Sequence, residues 1–491
     1  MKPTKKILNK LSKLPWFPIC LIGLVIIFFS IRLVITYDST HYLGYVDIFE
    51  GNLPASSWDI VRGPIFPAII FLFDTIFGKT GTGILVGTFI FYLIFSAVCY
   101  KLCKELCQGL KHKTLIQNIL LAVLILNPLI LGYFHTLLTE FIAITFTVLN
   151  ILLAYKWLSC NLHSKKQIVL YALYFFFSVI FCYQLKQPYI IIAFIPFLIA
   201  AIISIVQKHT RFNIIYRLST ILLSIVFLFV SIFSWNKILV NMGVDMNTGR
   251  DSSSALSRQL LQAYQITYDQ DKDGIVDSLS VTDTIGVLFN DFISNPLHIT
   301  TVYLSNYCGL ISVCIIETND LVNYISTFNL AGINTFENSI IGYRPYSDSS
   351  NLFDSMPEHL HDRATQYGES SHRGIIAFAM NIFRIPTNLL FKLSLIFCLP
   401  TLIFLIVVKI KTKNRNRTQL FYLNLILLGT SFAHIAISAG IGLIIDRYAI
   451  EAFIPSILGI FGTIVYTKSV FTKITAPSSL AKKSKKLQKN A

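Results

Sequence analysis

The sequence predicts an all-α polytopic membrane protein of about ten transmembrane helices, with an outward-facing domain of mixed composition. Three observations carry that prediction. The 491 residues are 54% hydrophobic and only 13% charged, too few polar groups to cover a soluble chain of this size. Apolar runs of about 20 residues recur, each long enough to cross roughly 30 Å of hydrocarbon as a helix. Basic residues gather in alternate connecting segments, the pattern that sets orientation in a membrane.

The expected spans lie near residues 17–36, 82–100, 115–134, 138–157, 168–185, 189–206, 218–240, 387–408, 419–445 and 450–467. The first has a longer apolar core than a signal peptide and no small-residue cleavage site after it, so we expect it to be retained. With a cytosolic N-terminus, the inward segments are 1–16, 101–114, 155–167, 207–217, 409–418 and 468–491. They hold 27 of the 41 Lys and Arg but a single acid, Glu105, of 25. The net charge of +16 is therefore mostly a topology signal facing anionic lipid, not a nucleic-acid surface.

Two further apolar runs, 64–78 and 297–316, are broken by Pro67 or carry polar residues such as His298 and Asn306. We expect both to be helices on the outer face, lying on or dipping into the interface. The resulting domains are a transmembrane module over 1–240, whose first outer loop is 37–81, and an extracytoplasmic domain over 241–386 that holds most of the acids. C-terminal transmembrane helices over 387–467 and a basic cytosolic tail over 468–491 complete the chain. Of nine cysteines only Cys308 and Cys314 fall outside, where pairing and a reduced, buried role both stay open.

Ionisable residues collect at the outer ends of the spans. Asp38 leaves span 1, Arg62 lies in the first outer loop, and Glu140 opens span 4; Lys186 and Arg447 sit in later outer turns. Each has a plain alternative: Lys186 and Arg447 as snorkelling side chains, Glu140 as a first-turn acid, Asp38 as a helix cap. Tyr42, Tyr45, Val46 and Phe49 fall at i, i+3, i+4 and i+7, which predicts an amphipathic helix after Asp38. Trp58 reads as an interfacial anchor.

The order "YDSTHYLGYVDIFEG … RGPIFPAIIFLFDTIFG … NPLILGYFHTLLTEFIAITFTVL … KQPYIIIAFIPFL … DRYAIEAFIPSIL" resembles the GT-C superfamily of membrane glycosyltransferases, most nearly the protein O-mannosyltransferases and the lipid A aminoarabinose transferases. The likeness covers 17–206 and 419–467 and leaves 241–386 out. It implies transfer of a sugar from a polyprenyl-phosphate carrier to a glycan, lipid or protein acceptor at the outer face of a bacterial cytoplasmic membrane, with no nucleotide sugar. By resemblance, Asp38 is the general base that deprotonates the acceptor, which implies inversion at the sugar carbon. Arg62, Lys186 and Arg447 would hold the donor phosphate, and Glu140 would orient the acceptor or help to hold a metal. Ser39 stands where many members carry a second acid, and Arg62-Gly63-Pro64 replaces their Arg-Pro-Pro block. Whether a catalytic divalent metal is used therefore stays open.

In the outer domain, "DQDKDGIVD" sets Asp269, Asp271, Asp273 and Asp277 around a turn at Gly274, a spacing suited to a structural Ca2+ loop. The position of the usual bidentate glutamate is Ser280. His359 and His361 alternate in "EHLHDR" but lack a third ligand at recognised spacing. The rival functions are a lipid-linked oligosaccharide flippase or other transporter, and a polysaccharide polymerase. No Walker motif, Ser-His-Asp arrangement or zinc tetrad is visible.

Overall fold

Capping residues mark several of the helix boundaries in this chain. In a computed structural model, described over residues 16–31, 33, 35, 37–58, 62–159, 165–207, 211–244, 260, 281–310, 367, 384–412, 418–441 and 449–475, every regular element is a helix. The first are α1 (Trp16–Phe29), α2 (Tyr37–Phe49), α3 (Ile65–Phe77) and α4 (Gly81–Leu106). Gly78, at φ 88°, takes the left-handed region that favours glycine and ends α3. Two residues on, the Thr80 hydroxyl accepts from Gly83 N–H at 3.0 Å and starts α4.

The expected span 115–134 is not one helix. It is α5 (Lys113–Ile125) and α6 (Pro128–Phe134), bent by 51°. The Asn127 side chain accepts from the N–H groups of Leu129 and Ile130 at 3.0 and 3.3 Å, and Pro128 occupies the first helical position. A new N-terminus is thus built in the middle of an apolar run.

There follow α7 (Glu140–Ser159), α8 (Lys165–Leu185), a 3₁₀ turn over Gln187–Tyr189, α9 (Ile190–Val206) and α10 (Arg211–Asn241). Beyond them come α11 (Val281–Ser294), α12 (Pro296–Leu310), α13 (Arg384–Thr412), α14 (Thr418–Gly440) and α15 (Ile450–Thr475). Among the described residues seven helices are long and apolar enough to span a membrane, or eight if the bent pair is one span. The expectation of ten shortens because α1 is described over only 14 residues and the apolar part of α8 over 169–185. This is an all-α multi-pass membrane protein. The mixed domain expected over 241–386 is described only at 241–244, 260, 281–310, 367 and 384–386, all helical or coil.

α7 is the central helix, with most of its residues buried. Inside the bilayer its one amide makes three hydrogen bonds. Asn150 Nδ2 donates to Ile192 O at 3.1 Å, while Tyr174 OH and Ser178 Oγ each donate to Asn150 Oδ1 at 2.8 Å, joining α7, α8 and α9 where no water could serve.

Polar contacts sort the helix ends into two layers. At one end Lys156 Nζ meets Glu105 Oε1 at 2.6 Å, and Tyr155 OH donates to Gln419 Oε1 at 3.2 Å. The buried Arg217 guanidinium donates to the carbonyls of Trp157 and Leu158 at 3.0 and 3.1 Å and to Ser204 Oγ. It therefore neutralises the C-terminal end of α7, where carbonyls are otherwise orphaned. These residues lie in, or within three residues of, segments the charge pattern places on one side. The opposite layer holds the candidate site.

Candidate functional site

The loop between α6 and α8's partner α7, residues 135–139, is the knot from which the site is built. His135 is wholly buried, with Nδ1 2.6 Å from Leu131 O and Nε2 2.8 Å from Phe28 O. It ties the loop to the end of α1. A neutral imidazole can donate to one carbonyl at a time and an imidazolium to both. Burial outweighs that gain and pushes the His135 pKa down to about 4. Ser39 Oγ donates to Leu137 O at 2.8 Å, so the first turn of α2 is fixed to the same loop. The side chain of Ser39 thus bonds across the fold.

The next residue in the loop's path is Glu140, fully buried at the start of α7. Its Oε1 lies 3.6 Å from Lys186 Nζ, and Thr139 Oγ1 donates to its Oε2 at 3.3 Å. Tyr189 OH lies 3.1 Å from the same Thr139 oxygen, and its ring is 5.6 Å from the Lys186 ammonium. Lys186 stands on extended backbone, φ −166° and ψ 127°, between α8 and the 3₁₀ turn that Pro188 helps to set. A buried carboxylate in this position needs a cation, and Lys186 supplies it while its own side chain stays 13% exposed.

Arg62 reaches the same neighbourhood through Gly63. A Cβ at Gly63 would fall 1.9 Å from the carbonyl oxygen of Gln184, so only glycine lets the turn lie against the last turn of α8. That contact is one residue from Arg62 and two from Lys186. Arg62 Nη1 donates to Tyr42 OH at 2.9 Å, with the guanidinium 5.2 Å from the Tyr42 ring. Tyr42, Tyr45 and Val46 are buried and turn this face of α2 toward protein, where Tyr42 packs edge-on to Phe66 of α3. Trp58 is not an interfacial anchor. It is 3% exposed, stacked 4.6 Å from Tyr45 and edge-on to Trp235, and its Nε1 donates to Arg62 O at 2.8 Å. The indole found a carbonyl acceptor inside the fold, so it has no need of the headgroup region.

The structure therefore brings Arg62, Glu140 and Lys186 to the adjoining end turns of α8 and α7, away from the Glu105–Lys156 layer, with α2 tied beside them through Ser39. Asp38 lies in the first turn of α2, and its side chain falls outside the described part of the structure. Arg447 lies outside the described residues, as do Asp269, Asp271, Asp273 and Asp277, His359 and His361, and Cys314. Among the described residues no group of three His, Cys, Asp or Glu could hold a metal ion.

Two buried pairs were missed by sequence reasoning. His434 Nε2 on α14 sits 3.6 Å from Glu451 Oε2 on α15, both nearly inaccessible. Tyr367 OH donates to the buried Asp74 Oδ2 of α3 at 2.7 Å. The signal for the first was present, since an ionisable residue inside an apolar span predicts a partner. For the second, 293 residues apart, no local pattern exists.

No protein-family model, curated protein or solved structure matches this chain.

Proposed function

We propose that this chain is an integral-membrane glycosyltransferase that moves a sugar from a polyprenyl-phosphate carrier to a cell-envelope acceptor at the outer membrane face. The observation that carries the reading is the buried Glu140–Lys186 pair with the Arg62 turn packed against the same helix end. A lipid-linked donor keeps its tail in the bilayer while its phosphosugar reaches water, so cations for its phosphate belong at this depth. In this reading Lys186, Arg62 and Arg447 hold the phosphate. Asp38 takes the proton from the acceptor hydroxyl or amine as its O or N attacks the sugar's anomeric carbon. The carbon–phosphate-oxygen bond breaks on the opposite face, and the carrier phosphate leaves with the bonding pair. Glu140, held by Thr139, keeps Lys186 aimed. The residues present suit a phosphate ligand; the proposed structural Ca2+ loop takes no part in the step.

A lipid-linked sugar flippase is the second reading, and the His434–Glu451 pair inside the spans favours it, since transporters place such pairs within the bilayer. Mass analysis of cell-envelope glycans and lipid-linked sugars, with and without the protein, tests both. The transferase predicts an accumulated polyprenyl-phosphate sugar on the outer leaflet and a missing modification. Accumulation on the inner leaflet would replace it with the flippase, and no change in either pool would end both.

A further inference from the structure

α11 cannot cross a bilayer. Its 14 residues rise about 21 Å, against roughly 30 Å of hydrocarbon. Yet Ile285, Phe289, Phe292 and Ile293 are between 47 and 63% exposed. They fall at i, i+4, i+7 and i+8, an arc of about 100° on one side of the helix. The other side is pinned. Thr284 is fully buried, and Leu288 packs into the same small apolar cluster, around Val302 and Leu260, as Ile299 and Tyr303 of α12.

The depth of this stripe follows from how α12 is held. Asn295 N–H donates to Asp291 O at 2.6 Å, and its Nδ2 to Asp291 Oδ1 at 3.2 Å, closing the turn from α11 into α12. Tyr303 OH then donates to Ala436 O at 3.2 Å, and the Tyr307 ring lies tilted with its centroid 6.4 Å from that of Phe432. Both Ala436 and Phe432 lie in the last turns of α14, the end that also carries His434. α11 is thus fastened at the level where the spanning helices leave the bilayer. Leu304 of α12 and Ile437 of α14, the chain neighbours of Tyr303 and Ala436 at that contact, are exposed apolar side chains, as is Leu297 at the start of α12.

We propose that α11 lies in the plane of the membrane with Ile285, Phe289, Phe292 and Ile293 buried among the acyl chains just below the headgroups of the outer leaflet. The occupant is phospholipid, because α11 is fastened through α12 to the end of a spanning helix and presents an apolar arc too short to cross the bilayer, the geometry of a helix lying in the interface. α11 contains no Lys or Arg and two acids, Asp283 and Asp291, so apolar burial rather than headgroup charge holds it. This inference stands independently of the transferase reading.

Benzoylphenylalanine placed at single positions of the full chain in its own membranes tests it. After irradiation, the chains carrying it at 289 or 293 should yield phospholipid adducts by mass, as should a control at Phe229, 66% exposed on the spanning α10. Position 294, on the opposite flank, should yield several-fold less. A dimer-sized product at 289 would make a second copy the occupant and overturn the proposal, as would a cross-link to another protein. Lipid adducts at 229 but not at 289 or 293 would also overturn it. In vesicles of phosphatidylcholine with and without phosphatidylglycerol the adduct yield at 289 should change less than twofold; a larger rise with the anionic lipid would remove the apolar mode of binding.

Discussion

Lys186 and Glu140 share one ion pair but not one environment, and that asymmetry is testable. Glu140 is fully buried, whereas Lys186 reaches the edge of the site. Lys186→Met would strand a buried carboxylate, which costs about 3–5 kcal/mol when a buried pair loses one partner. Glu140→Gln keeps the bond from Thr139 and leaves an ammonium that can turn to water, so its cost should be roughly 1–3 kcal/mol. Thermal unfolding in nanodiscs should rank the variants in that order; equal losses would mean the pair does not hold the turn. For Asp38, replacement by Asn should lower sugar transfer by about 10²–10⁴-fold, the usual worth of a general base, with folding intact. Full transfer by that variant in isolated membranes would remove the base assignment. His135 gives a pH dependence of definite sign. Its folded pKa of about 4 lies below the unfolded value near 6.5, so the unfolded chain takes up the proton first. Stability is whole above about pH 6.5 and declines as pH falls toward 4. His135→Gln, which cannot titrate, should flatten that part of the melting-temperature profile. The residues of this site were legible because ionisable groups in an apolar chain are few and each demands a reason. Their partners, Thr139, Tyr189 and Tyr42, were not, because hydroxyls at helix ends carry no signal of which distant group they meet.

At the scale of the element, Gly63 decides where the first loop sits. Gly63→Ala would drive a Cβ into the Gln184 carbonyl at 1.9 Å, and that neighbour is backbone that cannot rotate aside. The Arg62 turn should lift from α8, so transfer should fall at least tenfold, with a larger effect on the donor KM than on the acceptor KM. Steady-state assays with both substrates varied would check it; an unchanged donor KM would detach Arg62 from the donor site. Element types were legible in the sequence where apolar periodicity was long, as in α4, α7 and α10. The break between α5 and α6 was also written there, in Asn127-Pro128, but hydropathy averages over such a pair and reads one span. Trp58 shows the opposite failure. A tryptophan in an outer loop fits the interfacial belt by statistics, and only the stacking partners Tyr45 and Trp235, 13 and 177 residues away in the chain, send it into the core.

For the whole molecule, charge and contact speak to different halves of one question. Hydrogen bonds and ion pairs tie helix ends into two layers: Glu105 to Lys156, with Tyr155 bonded to Gln419 and Arg217 to Trp157 and Leu158, in one, and Ser39 to Leu137, with Glu140 beside Lys186, in the other. They cannot say which layer meets the cytosol. The charge bias can, since inward segments retain Lys and Arg, and it assigns the first layer to the inside. The two arguments use different residues, so they can be tested together by labelling with a membrane-impermeant maleimide. The labelled chains carry Ser at Cys20, Cys160, Cys308 and Cys314, and Cys99, Cys103, Cys107, Cys182 and Cys398 are buried, so background should be low. Ser56→Cys, in the first outer loop, should react in intact cells, while Gln108→Cys, after α4, should react only once the membrane is opened; both sites are exposed. The reverse result would put the Glu140–Lys186 layer in the cytosol, where nucleotide sugars are at hand. A site facing that way would have no reason to keep a lipid phosphate as its donor handle, and the transferase reading would fall with it.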